Sequence, residues 1–269
     1  MHDNYNVYKD ENNNTVIGKY VSENTTVTFS GKDNVLFCEG VHFLNSRIRF
    51  TGDNSVMYFD ENNSPISIDA RTGYDSVIYF GKNNYVNPKE RLTLYATERK
   101  HIVIGDECLF SFDVYLYTSD PHLIYDLNRK RVNSAKSIVV GEHVWIGQNS
   151  LILKGSHIGS GSVIGGGSVV PGKKVKSNCV YAGNPVRRVK SDIYFYDLAA
   201  HNFDAAREER FVEDRKGLNE KYMYKKDCTV LAENFVDELF DGTESSIIKL
   251  EKIRKELSDN VARNRFYIE

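Results

Sequence analysis

The sequence predicts a mainly β solenoid, a coil of short strands and tight corners, followed by a helical C-terminal extension. Three observations carry this expectation. From Val140 a β-branched aliphatic residue recurs every six positions, at Val140, Ile146, Ile152, Ile158, Ile164 and Val170. Further back a longer repeat spaces Gly31, Gly52 and Gly73 by twenty-one residues, and Val35, Val56 and Val77 likewise. After Pro185 the glycines thin out and the apolar spacing turns helical.

A period of six is neither the 3.6 of a helix nor the alternation of a long strand. Each Val or Ile would point inward and stack on its equivalent in the next coil, about 4.8 Å away, leaving the residues between to face water. Gly141, Gly147, Gly159 and Gly165 directly follow four of these positions and let the backbone turn sharply. Ordinary hairpins would need Asn-Gly or Asp-Gly turns, which this stretch lacks. Upstream, Ile104, Phe110 and Leu116 keep the period, which breaks at about Thr118 and resumes near Ile138. Residues 118–137 therefore project as a loop.

A coil of three hexads takes about eighteen residues. The twenty-one-residue repeat, carried by phrases such as Phe29–Phe37 and Phe50–Phe59, implies the same solenoid with wider corners. The predicted organisation is thus irregular solenoid coils over 1–100, regular coils over 101–190 and a helical extension over 191–269. In the extension, Leu198, Ala199, Phe203 and Ala206 suit one helical stripe, and Ile247, Leu250, Ile253, Leu257 and Val261 another. Thr243 is the expected N-cap of the last helix, with Glu244 in its first turn and Glu251 paired to Lys255. Acidic and basic residues are evenly mixed on the polar faces, so these stripes should pack on the solenoid or another subunit rather than on a membrane.

Lys and Arg total 35 against 37 Asp and Glu, for a net charge of -2, which excludes a global field that would gather nucleic acid or acidic lipid. The four cysteines are scattered without a CxxC pair, arguing against structural zinc or a redox motif. The polar, acidic start lacks the pattern of a signal peptide, and no stretch reaches the ~20 apolar residues of a membrane span. A soluble, cytoplasmic protein is expected.

The stretch Ile138–Gly147, the run Leu153–Val170 and the ending Tyr181-Ala-Gly-Asn-Pro-Val-Arg-Arg-Val-Lys190 together resemble the hexapeptide-repeat O-acetyltransferases. That group includes galactoside and maltose acetyltransferases and the capsule or O-antigen acetyltransferases; the likeness covers about Ile102 to Lys190. It implies a left-handed parallel β-helix, an exception to the right-handed crossover rule. It also implies a homotrimer, acetyl-coenzyme A as cosubstrate, no metal, and a catalytic histidine in the loop that interrupts the repeat. Within Thr118–Asp126 the single histidine is His122. An imidazole with an ordinary pKa of about 6.5 can take the proton of a sugar hydroxyl as it attacks a thioester. Asp120 or Asp126 would orient the ring, or cap the loop through an Asx turn.

By the same resemblance Trp145 and Gly147 lie beside the coenzyme channel, and Gly166 and Gly167 let the pantetheine arm approach the coil. Lys173, Lys174, Arg187 and Arg188 would then meet its phosphates. Backbone N–H groups at the corner Trp145–Gln148 are the expected oxyanion donors, while Tyr117 and Tyr125 would contact the acceptor. The function expected is O-acetylation of a carbohydrate, a bacterial capsule or O-antigen polysaccharide. Two alternatives stand: an amino-sugar or nucleotide-sugar N-acetyltransferase, and a non-catalytic polysaccharide-binding solenoid using some of the seventeen tyrosines and fourteen phenylalanines. A zinc enzyme resembling the γ-type carbonic anhydrases would require His101, His122 and His143, spaced by twenty-one, to converge.

Overall fold

A computed structural model describes residues 6–196, 200, 204, 217–242 and 245–269. The strands stack into three sheets that form the faces of a prism. The nine-stranded face runs from Asn6–Lys9 and Thr15–Glu23 through Val35–Leu44, Val56–Phe59, Val77–Phe80, Ile102–Ile104, Ile138–Val140 and His157–Ile158 to Lys174–Val175. The seven-stranded face includes Arg47–Phe50, Ile68–Thr72, Leu92–Ala96, Tyr115–Tyr117, Leu151–Leu153 and Val169–Val170. The six-stranded face holds Tyr85–Val86, Leu109–Phe110, Trp145–Ile146, Val163–Ile164, Val180–Ala182 and Arg187–Lys190. Pairing is parallel except at the two ends. There Asn6–Lys9 and Arg187–Lys190 each fold back antiparallel on the neighbouring strand, which covers an otherwise open edge.

The predicted column is observed rung by rung. Val140 pairs with Ile158, Ile146 with Ile164 and Ile152 with Val170, and all six side chains are buried. Ile104, Phe110 and Leu116 continue it upwards. The twenty-one-residue repeat is also in register, with Val35, Val56 and Val77 paired across three coils.

The extra residues sit at one edge, between the seven- and nine-stranded faces. Residues 51–55 and 97–101 span it in the N-terminal coils, whereas 154–156 suffice below. Gly31, Gly52 and Gly73 stack along this wide edge so closely that a Cβ on Gly31 would stand 2.3 Å from the Gly52 carbonyl oxygen. The loop 118–137 leaves Tyr117 and returns at Ile138, so it is inserted at this same edge.

Strands Val35–Cys38, Val56–Phe59 and Val77–Phe80 are buried on both sides. Leu36, Met57 and Ile78 point into the prism, while Phe37, Tyr58 and Tyr79 point outward beneath the C-terminal extension. The extension has helices α1 (Leu218–Tyr222), α2 (Phe235–Phe240) and α3 (Ser246–Ile253). It lays Val236, Phe240, Leu250, Ile253, Leu257 and Phe266 on that outer surface. Most N-terminal aromatics are therefore spent in the core or under this cover, rather than displayed.

The last helix differs from expectation in detail. Leu250, Ile253 and Leu257 are buried as predicted, but Ile247 and Val261 are exposed, and Lys249 is buried instead. Its ammonium donates to the Asn54 carbonyl at 2.8 Å and to Asp75 at 3.1 Å, a pair of acceptors that turns this face inward. The helix passes into a π turn at Arg254–Ser258, and Lys255 pairs with Glu256 at 2.8 Å rather than with Glu251. Ser245 is the N-cap, its hydroxyl accepting from the Ile248 N–H at 3.4 Å. Thr243, Glu244, Leu198, Ala199, Phe203 and Ala206 lie outside the described residues. Among the described residues no helix is long and apolar enough to cross a membrane. Cys38, Cys108 and Cys179 are buried free thiols and Cys228 is exposed.

Candidate active site

The loop 118–137 is rigidly held at its base. The Thr118 hydroxyl accepts from the Thr97 N–H at 2.9 Å, Ser119 and Thr97 share a hydrogen bond of 2.6 Å, and Arg131 pairs with Glu98 at 2.6 Å. On the other side Lys154, first residue of the narrow corner below, donates to Asp120 at 2.6 Å and to the Asn133 carbonyl at 2.9 Å. The wide corner thus holds the loop from above and the narrow corner from below.

Asn133, buried in the loop, is the hub that sequence reasoning missed. Its Nδ2 donates to Asp120 at 2.9 Å and to the His122 carbonyl at 2.7 Å, and its Oδ1 accepts from the Ile124 N–H at 2.9 Å. His122 is consequently fixed through its backbone, while its side chain is exposed. Asp120 serves the hub: the Lys154 hydrogen bond, more than any other contact, holds its carboxyl below the usual carboxylate range. Asp126 caps the loop tip, its Oδ1 accepting from the N–H groups of Asn128 and Lys130 at 2.9 Å each. Tyr117 packs against Tyr95 at 5.3 Å between centroids, and Tyr125 is exposed beside Leu123, Ile124 and Leu127.

Trp145 belongs to a different face. It stands on the outer side of the six-stranded sheet, in register with Leu109 above and Val163 below, and is 42% exposed. The corner after it is formed by close backbone contact, since a Cβ on Gly147 would lie 2.5 Å from the Gly166 nitrogen. Gly166 and Gly167 occupy the equivalent corner one coil on, and a Cβ on Gly167 would meet nothing within 4 Å. At Gly167 that edge is open to solvent.

At the C-terminal end Lys173 reaches the Val186 carbonyl at 3.4 Å, and Arg187 donates to the same oxygen at 3.1 Å. Arg187 and Arg188 lie on the last strand of the six-stranded face, opposite Ala182 and Tyr181, whereas Lys174 lies on the nine-stranded face and pairs with Glu233 of the extension. The oxyanion expectation needs correction for two groups: the N–H groups of Trp145 and Gly147 donate to Ser162 and Ile164 of the next coil. Coil-to-coil pairing consumes them.

The three spaced histidines do not converge. The loop insertion shifts the frame, so the coil equivalent of His101 is Ser137 and that of His143 is Glu107. His101 is buried, its Nδ1 accepting from the Val77 N–H at 3.1 Å and its Nε2 donating to Asp241 at 3.2 Å. Burial pushes its pKa down, and its hydrogen bond holds Asp241 low. Asp237 and Asp241 complete a His-Asp-Asp cluster, but the Lys100 ammonium already bridges the two carboxylates at 3.3 and 2.5 Å. This is a lock between extension and solenoid. His143 is stacked between Phe195 and Tyr222, with centroids at 4.0 and 4.3 Å.

Comparison with known proteins agrees with this fold. The family model for the bacterial transferase hexapeptide (six repeats) matches residues 137–172. A polysialic acid O-acetyltransferase of Escherichia coli O1:K1 / APEC is 44% identical over 98 residues, 36% of this chain. One from Neisseria meningitidis is 36% identical over 50 residues, 18% of this chain. The matches span 32% and 23% of the lengths of these two curated relatives. The solved structure of the polySia-specific acetyltransferase NeuO extends the likeness, at 32% identity and a TM-score of 0.63 over 73% of this chain and 91% of that one. The chain belongs to the hexapeptide-repeat O-acetyltransferases. Its fold is the family's left-handed parallel β-helix. The polysialic acid O-acetyltransferase OatWY has the same architecture, with 26% identity and a TM-score of 0.54 over 71% of this chain and 98% of that one.

Proposed function

We propose that this protein transfers an acetyl group from acetyl-coenzyme A to a sugar hydroxyl of a bacterial surface polysaccharide, with His122 as the general base. Polysialic acid, the acceptor named for its relatives, is the first to test. The observation that carries the reading is the fixed His122 loop, inserted into a regular β-helix and tied at both its flanking corners.

The residues around Trp145 fit the cosubstrate. An exposed indole, an edge of glycines without side chains and the cations of Lys173, Arg187 and Arg188 succeed one another down the prism. The reaction takes the proton of the acceptor hydroxyl to the His122 imidazole as that oxygen bonds the acetyl carbonyl carbon; the C–S bond breaks and the proton passes to the departing sulfur. Asp120 holds the loop through Lys154 and Asn133, and so acts as a positioning residue.

His122 and Trp145 project from different parts of the same prism: a loop at the edge between the seven- and nine-stranded faces, and the six-stranded face. A homotrimer resolves this, because a neighbouring copy can bring its loop to this chain's Trp145. The solvent-facing Leu123, Ile124, Tyr125 and Leu127 of the loop supply an apolar surface for such a contact. Sedimentation or light scattering should give three chains per particle. His122→Ala should lower kcat by about 10²–10⁴-fold with the circular dichroism spectrum unchanged. Full activity in that variant would refute the assignment.

A further inference from the structure

We propose that the cavity on the N-terminal side of Trp145 seats the acceptor sugar, and that Phe195, Tyr196 and Tyr222, pinned on His143, form its specificity-determining wall. The inference rests on the transferase reading above and extends it to the acceptor.

The cavity measures about 820 Å³ and opens on the six-stranded face, within the ~300–1,000 Å³ of small-molecule sites. Its floor is the outer row of that sheet, Tyr85, Leu109 and Trp145, stacked in register across three coils. The opposite wall comes from the C-terminal extension. Phe195 lies 6.1 Å from Trp145, and Tyr196 lies 5.9 Å from Tyr222.

His143 makes that wall rigid. Its ring is sandwiched between Phe195 and Tyr222, and its Nε2 lies 3.0 Å from the Phe195 carbonyl oxygen, to which it donates. It occupies a left-handed corner position, with φ of 50°. Two segments of the extension far apart in sequence are thereby clipped to one coil.

Direction along the prism selects the occupant. The basic residues suited to coenzyme phosphates lie towards the C-terminal end from Trp145, next to Val180–Ala182. The cavity runs the other way, towards Tyr85, Asn87 and Ser64. A thioester whose phosphates are held below Trp145 therefore presents its acyl end to the cavity. The lining combines aromatic rings with the amides of Asn83 and Asn87 and with one ammonium, Lys221, and one carboxylate, Glu107. Flat aromatic surfaces for the C–H faces of a sugar, with amides for its hydroxyls, are the groups a saccharide ring requires.

The test uses the full chain. Trp145 is its single tryptophan, so titrating a short sialic acid oligomer without acetyl-coenzyme A should change its emission. In transfer assays Phe195→Ala and Tyr196→Ala, both at partly exposed positions, should raise the oligomer KM by roughly three- to tenfold while leaving the acetyl-coenzyme A KM unchanged. His143→Ala should behave similarly, and His143→Phe should recover part of the loss by restoring the stack. A rise in the acetyl-coenzyme A KM alone would give the cavity to the coenzyme and overturn the proposal, as would efficient transfer with no change in KM or emission. If emission responds but no acetyl group is transferred, the transferase reading fails while the sugar site stands. If the oligomer neither changes emission nor is acetylated, both fall.

Discussion

The same edge of the prism is built twice, wide in the N-terminal coils and narrow in the C-terminal ones, and a lysine secures each version. At the wide corner the Lys249 ammonium, delivered by the extension, grips the Asn54 carbonyl and Asp75. At the narrow corner Lys154 grips the Asn133 carbonyl and Asp120. Both offer an ammonium to one carbonyl and one carboxylate. Lys249 is sealed from water, however, whereas Lys154 is partly open and its partners belong to the loop that carries His122. Similar chemistry thus fastens a cover in one region and holds the loop of the proposed general base in the other.

Substitutions separate these roles. The largest effect on stability is expected from Lys249→Ala, which removes the buried donor to the Asn54 carbonyl and empties the space the side chain fills; a loss of about 2 kcal/mol should appear in denaturant unfolding. The surviving folded protein should keep its kcat. Lys154→Ala should do the reverse, lowering kcat by about 10²-fold through misplacement of the loop, with little change in the unfolding midpoint. Equal losses of stability in the two variants would erase the distinction. Asn133→Ala should resemble Lys154→Ala, and a kcat unchanged by either would show that the loop needs no such support.

The smallest predicted effect concerns pH. Arg265, fully buried in the extension, donates to Glu142 at 2.8 Å, yet burial pushes the Glu142 carboxyl from 4.5 up to about 7. An acid whose folded pKa is raised favours the folded state most when protonated. Its contribution is therefore complete below about pH 4.5 and is lost as pH rises towards 7. Between pH 5 and 7.5 the melting temperature should consequently fall more in the wild type than in Glu142→Gln. An identical slope in both would assign the pH dependence to other groups.

The solenoid was legible because its rule is local: each inward Ile or Val and each following glycine states its own place in the coil. The wide corners were readable for the same reason, as a difference between two periods. The covered face had a signal that periodicity did not exploit. Val35–Cys38, Val56–Phe59 and Val77–Phe80 are unbroken apolar runs, and such runs mark strands buried on both sides. Asn133 and His143 were not legible. Asn133 earns its role through Asp120, Lys154 and the His122 backbone, and His143 through rings fifty-two and seventy-nine residues away. No pattern in a single sequence marks such partners. His101, His122 and His143 illustrate the opposite hazard, an even spacing that the loop insertion makes meaningless.

The apolar strip under Val236, Phe240 and Ile253 also bears on symmetry. In a closed ring of identical members each one meets its two neighbours through two unlike patches. Here the tail roofs the nine-stranded flank and part of the six-stranded one, beside Trp145, which leaves the seven-stranded flank and the uncovered part of the six-stranded one for such contacts. In the proposed trimer the tail would face outward from the ring, where it would screen the apolar nine-stranded flank from unlimited stacking.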